Sequence, residues 1–410
     1  MQTIRKKMNR KFRDLRGELF PAGKNNDHRQ ESGGNAFQTR AVLTGADLFF
    51  PDPAIPESVK QALTEAISAG SSEHYATAEQ KYELNELFAE RITDKTGLPI
   101  DPARNVLVTP GSDAGLFYAM MPFIEDGDEV LVPDPSYPKN FVNPELLGGV
   151  TVPVPLYAED RYQLRVEELR KRLSPKTKMM ILCHPNNPTS TVYREEVLDD
   201  LSSFIIENDL ILLCDQAFED HIYDGISYVS PSTLPGMWER TVTVCSTSKG
   251  FGLSGFRIGY IYAQEEIMQA LHGGAGNVLG AASTLSILGA AAALKDPDYL
   301  NNNFRQLESR RRMAYEILHT VPGIEMLMPE SGMLSWINVK SLGSGEEVAA
   351  YLSKEAGIEV SAGEQYGAQG AGYLRVVTGC YRDEKTAELV WKRLGTALTK
   401  MAEEKKAQGL

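Results

Sequence analysis

A lysine, an acid at a strand end and a set of anion-binding groups carry the chemistry that this sequence offers. Lys249 follows the apolar run TVTVC (241–245) and the linker Ser-Thr-Ser. Ser246 stands three residues before it and Arg257 eight residues after it. Gly111-Ser112-Asp113 follows another apolar run, NVLVT (105–109), where a helix is expected to open. Free backbone N–H groups and the positive end of the helix dipole at such a point favour an anion. A serine hydroxyl and a bidentate guanidinium add to that preference. Taken alone, the glycine turn needs only a tight bend, and a single lysine is most often a solvated surface group. Taken together they describe a phosphate cradle beside an amine. An uncharged lysine amine attacks carbonyl carbon to form a Schiff base, and a phosphate-bearing aldehyde held there would be pyridoxal phosphate.

That cofactor accounts for Asp215, which ends the run LILLC. A carboxylate buried at a strand end costs several kcal/mol unless a cation or hydrogen bonds meet it. A pyridinium nitrogen needs an acidic partner to stay protonated, and the protonated ring is the electron sink of such chemistry. Tyr137, in DPSYP, is placed to stack on the ring, and Asn187, in HPNNPTS, to donate to its phenolic oxygen. Each also has a plainer reading, Tyr137 as a turn anchor and Asn187 as an Asx-turn residue.

The elements that must hold these groups are an alternation of strands and helices. Strands are read at 105–109, 129–133, 151–156, 178–183, 209–214, 241–245 and 256–262, with helices between them such as 195–208. Several strands are apolar at every position, which suits a mostly parallel sheet covered on both faces. In such sheets ligands bind beyond the carboxyl ends of the strands, and there the polar clusters PGSDAG, DPSYP, HPNNPTS, DQAF and STSKGFGLSGFR fall. The texture changes near residue 298. A long charged helix, the runs MLSWINV and YLRVV, and a last helix from about 384 read as a smaller α+β domain. The expected division is a segment 1–50 joining the smaller domain, a large cofactor-binding domain over 51–298, and the smaller domain over 299–410. Within the N-terminal segment, Ile4, Met8, Phe12, Leu15 and Leu19 share one helical face, and a polar Gly-rich loop follows.

Bulk composition narrows the function classes. The chain has 410 residues, enough for about two domains. A formal charge of −13 argues against nucleic-acid binding, which needs a basic surface. No apolar run approaches the roughly 18 residues that a bilayer span requires, so no membrane partner is expected. Cys183, Cys214, Cys245 and Cys380 form no CxxC pair, three of them end apolar runs, and a reducing cytoplasm with no metal site is the expectation.

On these motifs the sequence resembles the class I/II aminotransferases, fold-type I pyridoxal-phosphate enzymes of the aspartate aminotransferase superfamily. STSKGFGLSGFRIGY is similar to the family's SxSKxxGxxGxRxGY, HPNNPTS to NPxNPTG, and DPSYP to PxYxxY. The resemblance implies that Lys249 holds the cofactor as a Schiff base and shuttles the substrate proton, and that Asp215 pairs with the ring nitrogen. It implies further that Asn187 binds the ring oxygen and Tyr137 stacks on the ring. Gly111, Ser112, Asp113 through its amide, Ser246 and Arg257 would hold the phosphate. Arg375 in YLRVV would grip the substrate carboxylate near Gly45 and Asn187. Tyr75 would reach a partner subunit's phosphate, which makes a homodimer. The implied activity is amino-group transfer between an L-amino acid and a 2-oxo acid. The alternative is a lyase, decarboxylase or oxidase on the same fold. Departures from the family pattern motivate that alternative: Gln80 and Asn85 replace a glycine and an arginine, His184 an asparagine, and Ser190 a glycine. Phe218 stands where a tyrosine usually donates to the ring oxygen, so one stabiliser of that oxygen is missing. Arg40, His28, Tyr366 and the stretch 280–282 are further candidates to line the pocket.

Overall fold

The apolar runs in the middle of the chain are buried on both faces, and they dictate a covered central sheet. The computed structural model describes residues 7–9, 11 and 40–408. It opens with a short strand β1 (Ala41–Val42), helix α1 (Glu57–Ser68) and helix α2 (Ala78–Thr96). The central sheet comprises β2 (Val106–Thr109), β3 (Glu129–Asp134), β4 (Val150–Pro155), β5 (Thr177–Cys183), β6 (Ile211–Asp215), β7 (Thr241–Ser246) and β8 (Gly259–Tyr262). Their order is β2-β8-β7-β6-β5-β3-β4. Only β8 runs antiparallel to its neighbours; the other pairings are parallel. Every residue of β7 and β8 is buried, whereas the edge strand β4 is partly exposed. Continuous burial without alternation is what a parallel sheet between two helical layers demands.

The sequence pattern places β8 at 256–262, but the strand begins only at Gly259. Ser254–Phe256 forms a single 3₁₀ turn, and Arg257 adopts a left-handed backbone (φ 54°). Gly259 then lies flush against the start of helix α3 (Ser112–Met120). A Cβ there would fall 2.5 Å from Ser112 N and 2.8 Å from the Gly111 carbonyl carbon. Close approach of β8 to that helix start therefore requires glycine.

Helices α4 (Pro138–Leu147), α5 (Val166–Arg170) and α6 (Glu195–Glu207) alternate with the strands. Helix α6 shows the driving force: Leu198, Leu201, Phe204 and Ile205 recur at helical spacing and are all buried, each contributing about 1.5–3 kcal/mol. Beyond β8 come α7 (Glu265–Val278), α8 (Thr284–Leu294) and α9 (Pro297–Leu318). The smaller α+β domain is a four-stranded sheet of order β12-β13-β10-β9, built from β9 (Glu325–Met326), β10 (Leu334–Asn338), β12 (Ser361–Ala362) and β13 (Tyr373–Val377). Helix α10 (Gly345–Tyr351) and strand β11 (Ile358–Glu359) intervene, and β1 pairs in parallel with β11. A final helix, α11 (Glu384–Ala407), packs with α9 against this sheet through Trp391, Leu394, Leu398, Leu307 and Leu318. Leu43, Phe49, Phe218 and Tyr223 belong to that same apolar cluster, so segments far apart in sequence close the core of the smaller domain. The N-terminal helical face of Ile4, Phe12, Leu15 and Leu19, and His28, lie outside the described residues.

Candidate active site

The polar clusters named above meet at the carboxyl edge of the central sheet. Gly111 (φ 86°) precedes α3 as its N-cap, and the guanidinium of Arg257 occupies the space that a Cβ at Gly111 would fill. The left-handed turn at Arg257 aims the side chain back at the helix start, where Arg257 Nη1 also donates to Ser254 O at 2.9 Å. Ser246 is the register partner of Gly259 across β7 and β8. It is buried, and its hydroxyl oxygen accepts from Ser248 N at 3.1 Å. Free N–H groups at the start of α3, a guanidinium and a hydroxyl thus share one small volume, the donor set of a phosphate cradle. Asp113 faces away from that cradle. Its carboxylate accepts from the Tyr137 hydroxyl at 2.9 Å and pairs with Lys139 at 2.6 Å. Burial pulls the Asp113 carboxyl upward, yet Lys139 and the Tyr137 hydroxyl leave it below the usual carboxylate range. The carboxylate fixes the Tyr137 ring at the mouth of the site, and Lys139 is a contributor that the sequence motifs did not single out.

Asp215 ends β6 and is 3% exposed. Its only hydrogen-bond donors among the described residues are Ala217 N, at 3.1 Å, and the Cys183 thiol, at 3.6 Å. Burial pushes its pKa to about 6, with the hydrogen bonds from Ala217 and Cys183 opposing. Lys249 follows β7 and is half-buried. Its Nζ donates to Ala46 O at 2.6 Å. Burial, then the nearby Arg375, lower its pKa to about 8, while Asp47 and Asp113 oppose the shift. A lysine in this range carries a usable fraction of free amine near neutrality.

Arg375 enters from β13 of the smaller domain. Its Nη1 donates to Asn187 Oδ1 at 3.3 Å, its Nη2 to Thr44 O, and its guanidinium carbon lies 4.9 Å above the Tyr366 ring. Nε is buried without a hydrogen-bond partner among the described residues. The loop 44–46, with Gly45 at its centre, therefore offers one carbonyl to Lys249 and another to Arg375. Nothing lies within 4 Å of a Cβ built at Gly45. These two carbonyls escaped sequence reasoning because backbone acceptors leave no residue-type signal.

The departures sort differently. Gln80 completes a capping box with Thr77 at the start of α2, and Asn85 donates to Pro102 O at 2.9 Å. Both replacements serve local structure, and the T-x-x-Q spacing of a capping box was legible in the sequence. His184 is buried, stacked on Tyr228 with ring centroids 4.6 Å apart, and held neutral by burial with a pKa of about 3. Phe218 is 4% exposed and packs on Gly332, where a Cβ would lie 2.7 Å from its ring. Tyr366 lies beneath Arg375, whereas Arg40 is exposed and engaged with Glu359 and Ser353. The stretch 280–282 follows α7 and is half-buried to exposed. Tyr75 is 86% exposed on the loop before α2. All four cysteines are buried and unbridged. Among the described residues no group of His, Cys, Asp and Glu gathers as a metal site, and no helix is long and apolar enough to cross a membrane.

The fit to pyridoxal phosphate can be tested on these features alone. A phosphate answers the donor set of Gly111, Ser112, Ser246 and Arg257. A protonated ring nitrogen supplies the cation that buried Asp215 lacks. An aldehyde carbon answers the lysine with a lowered pKa. Comparison with known proteins points the same way. A family model described as aminotransferase class I and II matches residues 47–394. The aromatic-amino-acid aminotransferase 2 of Thermococcus litoralis is 32% identical over 80% of this chain and 84% of its own length. The aspartate aminotransferase of Pyrococcus abyssi is 30% identical over the same shares. The crystal structure of an aromatic aminotransferase from Pyrococcus horikoshii superimposes with a TM-score of 0.82 at 28% identity, covering 90% of this chain and 96% of that one. With its cradle, strand-end acid and half-buried lysine in the motif positions, the chain belongs to the class I and II aminotransferase family.

Proposed function

We propose that this protein is a pyridoxal-phosphate-dependent aminotransferase that moves an amino group between an L-amino acid and a 2-oxo acid. The observation that carries the reading is the convergence of buried Asp215 and Arg375 with half-buried Lys249, three ionisable groups whose hydrogen bonds among the described residues go to neutral partners and not to an opposite charge. Such groups are costly to keep and mark sites where a ligand completes the set. The bound cofactor supplies the electron sink for the charge that develops at the substrate Cα. The rest falls to residues of this chain. Arg375, with Asn187 beside it, binds and orients the substrate carboxylate. The arginine is already stripped of water by Tyr366 and the loop 44–46, which strengthens a carboxylate pair. Lys249 Nζ would take the Cα proton and give it back within the site. Its pKa of about 8 is matched to taking and giving a proton near neutrality. Asp215 would hold a proton on the ring nitrogen, and Tyr137, fixed by Asp113, would pack on the ring. Ser246, Arg257 and the start of α3 anchor the phosphate.

The domain division at residues 50 and 298, a homodimer completed by the exposed Tyr75, and a cytoplasmic location belong to the same proposal. The relatives do not select the donor, since an aromatic and an aspartate aminotransferase match almost equally well. The test is a single half-reaction. Protein loaded with pyridoxal phosphate and given an amino acid without oxo acid should yield pyridoxamine phosphate. Lys249→Ala should lower that rate by about four orders of magnitude. A Lys249→Ala protein that transaminates at the native rate, or a native protein that forms no pyridoxamine phosphate with any donor of a broad panel, would overturn the proposal.

A further inference from the structure

Ser190 occupies the position at which the sequence departs from its family motif, and its surroundings show a role that the cofactor chemistry does not use. The residue is 2% exposed and left-handed (φ 59°), a backbone conformation that glycine adopts more readily than any other residue. Its hydroxyl donates to Leu334 O at 2.8 Å, and its own carbonyl accepts from the Ser331 hydroxyl at 3.0 Å. Both contacts run from the loop after β5 to the smaller domain, where Leu334 begins β10. The Leu334 carbonyl has no donor from the β13 ladder at that point, because Val377, its register partner, directs its N–H to Leu43 O. On the other side, β9 pairs only with Ile337 and Asn338. The Ser190 hydroxyl therefore fills a gap in the sheet edge.

The same two segments carry the groups proposed to hold the substrate. Asn187 lies three residues before Ser190, and Arg375 is the register partner of Trp336, two residues beyond Leu334. A second tie reinforces this face: Glu330 accepts from Val192 N at 2.9 Å and from Arg194 Nη2 at 2.5 Å. We infer that Ser190 is a positioning residue: its hydroxyl pins β10, and through it β13, to the Asn187 loop, so that Arg375 and Asn187 are presented to a substrate carboxylate in a fixed register. This rests on the reading of Arg375 as the carboxylate-binding residue. A serine retained in a left-handed conformation for its hydroxyl, where glycine would be less strained, is the physical mark of that role.

The test compares two substitutions in holoenzyme loaded with pyridoxal phosphate, with 3-phenylpropionate and maleate as unreactive carboxylate probes. Binding is followed by the change in cofactor absorbance, and stability by thermal unfolding. Ser190→Gly removes the hydroxyl and relieves the backbone, while Ser190→Ala removes the hydroxyl and keeps the strained conformation. Both variants should bind the better probe about five-fold more weakly, the worth of one well-made hydrogen bond. Only Ser190→Ala should lose Tm, by about 2–4 °C, whereas Ser190→Gly should match or exceed the native value. A Ser190→Gly protein with native probe affinity, or affinities that follow Tm across the two variants, would overturn the inference. A native holoenzyme that binds the cofactor but neither carboxylate would instead break the reading of Arg375, and the inference with it.

Discussion

Two sets of charges, each with a buried arginine, flank the segment 215–224, and they are treated in opposite ways. On one side Arg311, a fully buried side chain, donates two hydrogen bonds to Asp224 at 2.8 and 2.7 Å and a third to Pro329 O, with the Tyr223 ring 4.3 Å from its guanidinium carbon. Nearby, Arg91 and Lys95 are matched by Glu219 and Asp220. On the other side Asp215 and Arg375 are buried, Lys249 is half-buried, and among the described residues they are only partly answered: Asp215 by one backbone N–H and a thiol, Lys249 by one carbonyl, and Arg375 by a carbonyl with an amide oxygen. Isolated buried charges cost far more than paired ones. The paired set holds the fold; under the proposed function, cofactor and substrate would bring the opposite charges to the under-paired set.

Removing a member of each set should therefore give opposite signatures. The largest effect is expected from Asp215→Asn. Activity of the loaded enzyme should fall by about two to three orders of magnitude, the usual scale for losing one preorganised electrostatic group. Without cofactor the same variant should be more stable than the native protein. The sign follows from linkage. The folded pKa, about 6, lies above the unfolded 3.8, so the ionised form is penalised on folding. Native stability should fall as pH rises from 3.8 to 6, by up to about 3 kcal/mol, and Asp215→Asn should lack that slope. Urea unfolding of the cofactor-free proteins at pH 4 and pH 7 measures it. Equal slopes would place Asp215 with the paired set.

Asp224→Asn should behave in the reverse manner. It leaves the buried Arg311 without its counter-charge, and a loss of about 2–3 kcal/mol is expected, below the value for a fully buried pair because Asp224 is partly exposed. The kcat/KM per folded molecule should stay within about two-fold of native. A selective loss of turnover with unchanged stability would erase the distinction between the two sets. The smallest effect is expected at Phe218→Tyr, which sits between them. A hydroxyl gained near the cofactor's ring oxygen should lower the pKa of the bound cofactor in a spectroscopic titration, by about one unit or less. No shift, with a lower Tm, would show that Phe218 serves only the core in which it packs against Gly332.

Much of the central sheet was legible because its signals are local. Runs such as TVTVC and KMMILC are apolar without a break, and each ends on a polar cluster, so the strand and the site loop are read from adjacent residues. Gly111, Asp215, Lys249 and Arg257 were singled out in this way. The boundary of β8 was misjudged because nothing local marks the left-handed turn at Arg257, a conformation set by contact with the start of α3. Ser190 was legible as an oddity and not as a tie, since its acceptor is the main chain of a residue 144 positions away.

By itself, then, the amino-acid order determined the class of fold and the family, and it singled out the residues proposed to hold the cofactor, because burial patterns and loop chemistry act over a few residues. Tertiary structure alone decided how far those residues are answered. Lys249 meets Ala46 O across 203 positions and Arg375 meets Thr44 O across 331. Phe218 joined the core of the smaller domain, while Gln80 turned to capping a helix. Burial and pairing are properties of the closed structure, and they separate a charge answered within the fold from one answered only in part.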